Sequence, residues 1–214
     1  GLLEERAGVR LRASGLRYNL VSGRVALADV RLAAAGHEAR PFFTATRVEV
    51  DLPLSINLGR LSLSDVVVEG GRVELLTDAD GVGNLPAGDP DVPPSDTPAT
   101  LAIHGLHVRG LDLVYDNRAS DVRLAATGIS AALEHRAIRV FDGITGPIAI
   151  AGGIDVRLQE RELRVAPIDS RIAFDGNVVS MQGLPLATAL GELALSGRVT
   201  RILDAPALEL TFDG

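Results

Sequence analysis

A two-residue period runs through most of this chain, and it constrains the fold more than any single motif. Val48, Val50 and Leu52 alternate with Arg47, Glu49 and Asp51, and Leu61 and Leu63 alternate with Arg60, Ser62 and Ser64. Successive side chains of an extended backbone point to opposite faces, so the pattern describes strands with one apolar and one wet face. It returns at Val73/Leu75, Leu101/Ile103, Leu111/Leu113/Tyr115, Ile154/Val156/Leu158, Leu163/Val165 and Leu208/Leu210/Phe212, giving roughly 16 strand-like segments. Turn chemistry separates them: Asp80-Gly81, Asp116-Asn117, Asp142-Gly143, Gln159 to Glu162 and Asp175-Gly176-Asn177. These turns predict short antiparallel connections and an all-β fold. Helix signals are sparse, with one short helix expected over 185–192, which opens on a proline, and another over 2–7.

A decapeptide occurs twice. Gly23-Arg24-Val25-Ala26-Leu27-Ala28-Asp29-Val30-Arg31-Leu32 returns 36 residues later as Gly59-Arg60-Leu61-Ser62-Leu63-Ser64-Asp65-Val66-Val67-Val68. A repeat of this size implies a supersecondary unit that buries its apolar face only against neighbours. Within each copy the apolar parity shifts by one residue, from Leu27 to Val30 and from Leu63 to Val66. Such a shift turns the apolar set over unless the strand is interrupted there, so Asp29 and Asp65 are expected at bends, as structural residues.

Apolar residues make up 46% of the chain and charged residues 23%, which is ample for a folded core. Aromatics contribute only 3% and Trp none, so the apolar surface is aliphatic and lacks stacking platforms. A net charge of −7 argues against nucleic acid as a partner, whose phosphates require a basic surface. Zero Cys excludes disulfides and thiolate chemistry and fits both a cytosol and a periplasm. Residues 86–98 hold five prolines and three aspartates around one Val, which predicts an exposed loop. The chain therefore divides into 1–85, the loop 86–98, and 99–214, with the same alternation on both sides. No apolar run is long enough to span a membrane; an anchor is expected upstream of Gly1, where the chain opens without Met.

Laid side by side at about 4.8 Å spacing, 16 strands of 5–6 residues would make a sheet roughly 75 Å long and 17–20 Å wide. Its apolar face would cover on the order of 1,300 Å², several times the patch that soluble monomers expose. A second sheet, closure into a barrel, or an apolar ligand in a groove could cover it, and the period leaves all three open.

No reacting constellation emerges. His104 and His107 are three apart, which on a strand places them on opposite faces and argues against a shared metal. Asp78, Asp80 and Asn84 hint at a calcium loop, but Gly81 falls at position 4 and Asp89 at position 12, where the EF-hand needs Gly at 6 and Glu at 12. A turn is expected there. Asp121 and His135 accompany no nucleophile motif, and no glycine-rich phosphate loop is present. The expectation is a non-enzyme without metal or cofactor.

Three stretches carry a family resemblance: Arg47 to Pro86, with its strand pair leading into Asp78-Ala79-Asp80-Gly81-Val82-Gly83-Asn84-Leu85-Pro86; Ile103 to Asp116; and Leu195 to Leu210, with its Leu-x-Gly and Ala-Pro-x-Leu-x-Leu pieces. In this order they resemble the AsmA-like (TamB) family of periplasmic β-groove lipid-transfer proteins, over 15–135 and 193–214. The resemblance implies an elongated, curled antiparallel sheet forming an open trough with an apolar interior, anchored in a Gram-negative inner membrane and facing the periplasm. It implies phospholipid acyl chains as the partner and lipid transport toward the outer membrane as the function. The alternative is a periplasmic β scaffold that assists outer-membrane protein assembly with an outer-membrane partner. The expected groove lining is Val25, Leu27, Val48, Val50, Leu52, Leu61, Leu63, Val66, Val68, Val73, Leu75, Leu111, Leu113, Ile154 and Val156.

Overall fold

The computed structural model describes residues 8–19, 21–52, 60–86, 100–135, 142–175, 178–188, 191–200 and 207–213. Among them are fourteen strands and no helix. In chain order these are β1 Val9–Arg12, β2 Gly15–Asn19, β3 Arg24–Ala34, β4 Phe43–Asp51, β5 Arg60–Thr77, β6 Thr100–Asn117 and β7 Val122–His135. Then follow β8 Asp142–Ile150, β9 Ile154–Leu158, β10 Arg161–Val165, β11 Ile168–Asp175, β12 Val178–Thr188, β13 Gly191–Thr200 and β14 Ala207–Asp213.

All fourteen belong to one open sheet. Its strand count overstates its span, because three rows are single strands broken in the middle. β1 and β2 both lie on the same side of β3, β8 and β9 on the same side of β7, and β10 and β11 beyond them. The sheet thus has eleven rows, β1/β2-β3-β4-β5-β6-β7-β8/β9-β10/β11-β12-β13-β14, about 50 Å across at the usual spacing. The rows are longer than the expected 17–20 Å: β5 and β6 have 18 residues each, about 60 Å of extended chain.

Two expectations are corrected here. The sheet is not wholly antiparallel, since β5 and β6 run parallel from Arg60↔Thr100 to Thr77↔Asn117. Parallel neighbours need a crossover rather than a tight turn, which gives the long connection through 86–98 its topological reason. The helix expected over 185–192 is absent: Pro185 to Thr188 continue β12, opposite Gly191 to Ala194 of β13. Its alternation of Leu184 and Leu186 across from Leu195 and Leu193 suits a strand, and the pairing overrides the weak helix signal of one proline. The helix expected over 2–7 lies outside the described residues.

A transverse crease crosses the sheet. Asp29 in β3 has φ 48°, Gly70 in β5 has φ 55°, Gly110 in β6 has φ 66° and Gly128 in β7 has φ 68°. By register Asp29 stands level with Thr46 of β4, Thr46 with Gly70, and Gly70 with Gly110, and at these positions the ladder pairs are interrupted. The same level is marked by the breaks between β1 and β2, β8 and β9, and β10 and β11. Each break resets the alternation by one residue: Val25 and Leu27 give way to Val30 and Leu32, Val66 and Val68 to Val73 and Leu75, Leu106 and Val108 to Leu111 and Leu113. One face therefore stays apolar on both sides of the crease.

The crease also settles the repeat. Asp29 bends as expected, and its side chain accepts a hydrogen bond from Ser14 Oγ at 2.6 Å. Asp65 does not take a left-handed conformation and lies off the crease; it is paired with Gly105, and the ladder with β6 is interrupted one residue before it, at Ser64 and His104. Val25 is level with Val50, and Val50 with Val66, so β3 and β5 correspond at an offset of 41 residues, not the 36 of the sequence repeat. The two copies are slid past each other along the strands by five residues, and Gly70 occupies the place that Asp29 holds in β3.

Candidate functional site

Register places most of the expected lining on one surface, because residues directly opposite in neighbouring strands share a face. Below the crease, Leu27, Val48, Val68, Val108, Ala131 and Ile148 form one transverse row. Above it, Leu32, Phe43, Val73, Leu113, Ala126, Ile154 and Val165 form another. Side-chain packing joins the two levels. Val30, Ala45, Val66 and Val68 make one cluster with Leu27, Phe43, Val48, Val50, Leu52 and Leu106 against it. Ala126, Ile150 and Ile168 make another with Leu113, Ile129, Ile148, Ile154, Val165 and Met181.

Of the expected lining, Val25, Leu27, Val48, Val50, Leu52, Val66, Val68, Val73, Leu75, Leu111, Leu113, Ile154 and Val156 lie on this face by register or packing. Leu61 and Leu63 pair with Leu101 and Ile103 in the lower ladder; their side chains lie outside the described residues. Sequence reasoning passed over Val30, Ala45, Ala126, Ile150 and Ile168, which are among the best-buried members of the face. They sit beside the crease, where the alternation resets. The signal that could have found them is the positive-φ residue type at each reset, glycine in three strands of the four.

Among the described residues the face has no second layer: the elements in substantial contact are those already hydrogen-bonded side by side, and they form neither a sandwich nor a closed barrel. Burial follows from this. Val30 is 3% exposed and Ala126 2%, while most of the remaining lining is only half-buried and no large side chain is fully enclosed. The chain exposes 14518 Å², whereas a compact monomer of 22.4 kDa exposes about 9,400 Å². The first eight rows, averaging about thirteen residues, give an apolar face on the order of 1,500 Å², against the roughly 300–600 Å² typical of a soluble monomer's largest patch.

The opposite face is wet and ion-paired. Arg24 Nε meets Asp51 Oδ1 at 2.8 Å, Arg109 Nη1 meets Glu69 Oε1 at 2.9 Å, Arg72 Nε meets Glu74 Oε1 at 2.6 Å, and Arg47 pairs with Glu49. The hydrogen bond from Arg24 holds the Asp51 carboxyl below its ordinary value, with desolvation opposing. Pairs this exposed add little to stability; their effect is to keep this side in water. A concavity of about 470 Å³ on this face gathers Arg123, Asp155, Arg157, Glu162 and Arg164 around Ala125. Two of its arginines have acids within reach, Arg157 with Asp121 at 3.5 Å and Arg164 with Asp155 at 3.6 Å.

The Asp78 to Asn84 stretch is a turn, as expected. Asp78 Oδ1 accepts hydrogen bonds from the N–H groups of Asp80 at 3.0 Å and Val82 at 2.8 Å, an arrangement that consumes a carboxylate oxygen within the turn itself. Asn84 is 3% exposed and its amide seals the end of β5, accepting from Leu76 N–H at 2.9 Å and donating to Glu74 C=O at 2.8 Å. Among the described residues no group of three His, Asp or Glu is placed to hold a metal. His107 Nε2 lies 3.9 Å from Asp65. No helix among the described residues is long and apolar enough to cross a membrane.

Comparison of the chain with protein-family models, with curated proteins and with solved structures returned no match.

Proposed function

We propose that the apolar face binds phospholipid acyl chains and that the protein is a non-enzymatic lipid-conducting surface. The observation that carries this reading is the face itself: an apolar surface continuous over at least seven strands, kept apolar through a crease that would otherwise turn it over, with no described element packed on it. Leaving such a surface in water is costly at roughly 25 cal/mol per Å², so an occupant is required. Aliphatic lining without Trp suits hydrocarbon tails, which need neither hydrogen-bond partners nor stacking platforms. The resemblance to the AsmA-like (TamB) family supports the same occupant, and with it a periplasmic location, an inner-membrane anchor and transport toward the outer membrane.

A photo-crosslinker placed in turn at Val48, Val68, Leu113 and Ile154, with phospholipid vesicles present, tests this. Lipid adducts are expected at all four positions and not at Glu49, Glu69 or Asp155 on the wet face. Native mass spectrometry of the purified chain should show bound phospholipid, lost in Val50→Glu. Absence of lipid from both measurements, with far-UV spectra unchanged, would rule the reading out.

A further inference from the structure

Among the described residues the first row of the sheet is an edge with a marked chemical pattern: β1 and β2 hydrogen-bond to β3 and to no other described strand. By register Leu16 and Tyr18 stand opposite Leu27 and Val25, and Leu11 opposite Leu32, so this row extends the apolar face to its rim. There the three side chains are 68%, 52% and 41% exposed. The wet side of the same row is cationic: Arg10, Arg12 and Arg17, with no acid between residues 8 and 19. Arg10 pairs with Glu38, on which the charge of Arg12 also acts, whereas Arg17 has no ion pair among the described residues. Arg12 is moreover directly opposite Arg31, and like charges facing each other across a ladder destabilise it. This cationic edge belongs to a chain whose net charge is −7.

An unpaired edge offers backbone donors and acceptors to any extended chain, and proteins guard such edges with proline or with charge. β1 and β2 contain no proline, and arginine on the wet side guards only against strands that lack acids. We propose that β1/β2 is a docking edge for an extended strand of a partner protein in which apolar residues alternate with Asp or Glu. The backbone ladder supplies affinity, the apolar residues prolong the face beyond Leu11, Leu16 and Tyr18, and the acids sit beside Arg12 and Arg17. An acid next to Arg12 also relieves its repulsion with Arg31. The proposal is independent of whether the face itself carries lipid.

The test uses a fluorescent eleven-residue peptide alternating valine with glutamate, and its lysine counterpart, titrated against the chain and read by anisotropy. The glutamate peptide should bind about tenfold tighter, the result of replacing two attractive cross-strand pairs with repulsive ones. Its advantage should fall as salt rises. Arg12→Glu/Arg17→Glu should reverse the preference while the thermal melt stays cooperative, showing that the variant is folded. Equal binding of the two peptides, or a preference unmoved by the double variant, would overturn the proposal. Sedimentation of the chain alone distinguishes the remaining occupant: a dimer abolished by the double variant would assign the edge to a second copy and overturn a partner strand.

Discussion

Replacing Gly71 with alanine should cost far more than one methyl group normally does, and the cost is a direct test of the crease. Gly71 has φ 153°, and a Cβ there would lie 2.1 Å from the carbonyl oxygen of Thr44 and 2.8 Å from Cα of Ala45. Both are backbone atoms of β4, so no side-chain rotation relieves the contact; the two strands must separate where Ala45 and Val68 are buried. Overpacking of this kind costs about 1–3 kcal/mol, and a side chain held in a sparsely populated backbone region about 1–3 more, so about 2–6 kcal/mol is expected. Gly110 is the internal control. Its φ is 66°, and a Cβ added to it would meet nothing within 4 Å, so Gly110→Ala carries only the left-handed penalty of about 1–2 kcal/mol. Urea denaturation followed by circular dichroism measures both, through the midpoint at constant slope. Equal losses for the two variants, or no loss at Gly71, would refute the close approach of β4 and β5 on which the crease depends.

Asp29→Val should destabilise by about 1–3 kcal/mol, since a β-branched residue fits poorly at φ 48° and the bond from Ser14 is lost, whereas Asp29→Gly should be tolerated; thermal melts of the pair check this. Asn84→Ala should cost about 1–3 kcal/mol because it strands Leu76 N–H and Glu74 C=O at the end of β5, a loss read by denaturant titration. Asp51 has a folded-state pKa below its ordinary 3.8, owing first to the hydrogen bond from Arg24. Its stabilising contribution is therefore present above pH 3.8 and disappears as pH falls through the lowered value. The melting-temperature gap between the chain and Asp51→Asn should accordingly close in the acid range; a gap that stays constant to about pH 2 would contradict the pairing.

Fold class and lining were legible to different depths. Alternation is a local property, so Val48, Val50, Val66 and Val68 could be assigned to one face from the sequence, and the register sets Val48 opposite Val68 and Val50 opposite Val66. Turn chemistry was equally local at Asp78 and Asp80. Register is not local. Whether β5 pairs with β6 in parallel depends on the summed pairing of 18 residues, which no turn dipeptide reveals. The repeat misled for the same reason: identical motifs at Asp29 and Asp65 sit at different heights, because the pairing with β4 slides β5 by five residues so that Gly70 can take the bend.

By itself the sequence determined that this chain is built of strands, that each has one aliphatic side and that the other side is charged, since these follow from residue types and a period of two. Only the tertiary structure decided that the strands form a single open layer, that left-handed residues line up across it, and that the apolar side is one surface on which no described element packs. Those features depend on hydrogen bonds between residues far apart in the chain, and a one-residue change of register would have sent half of the same side chains to the other face.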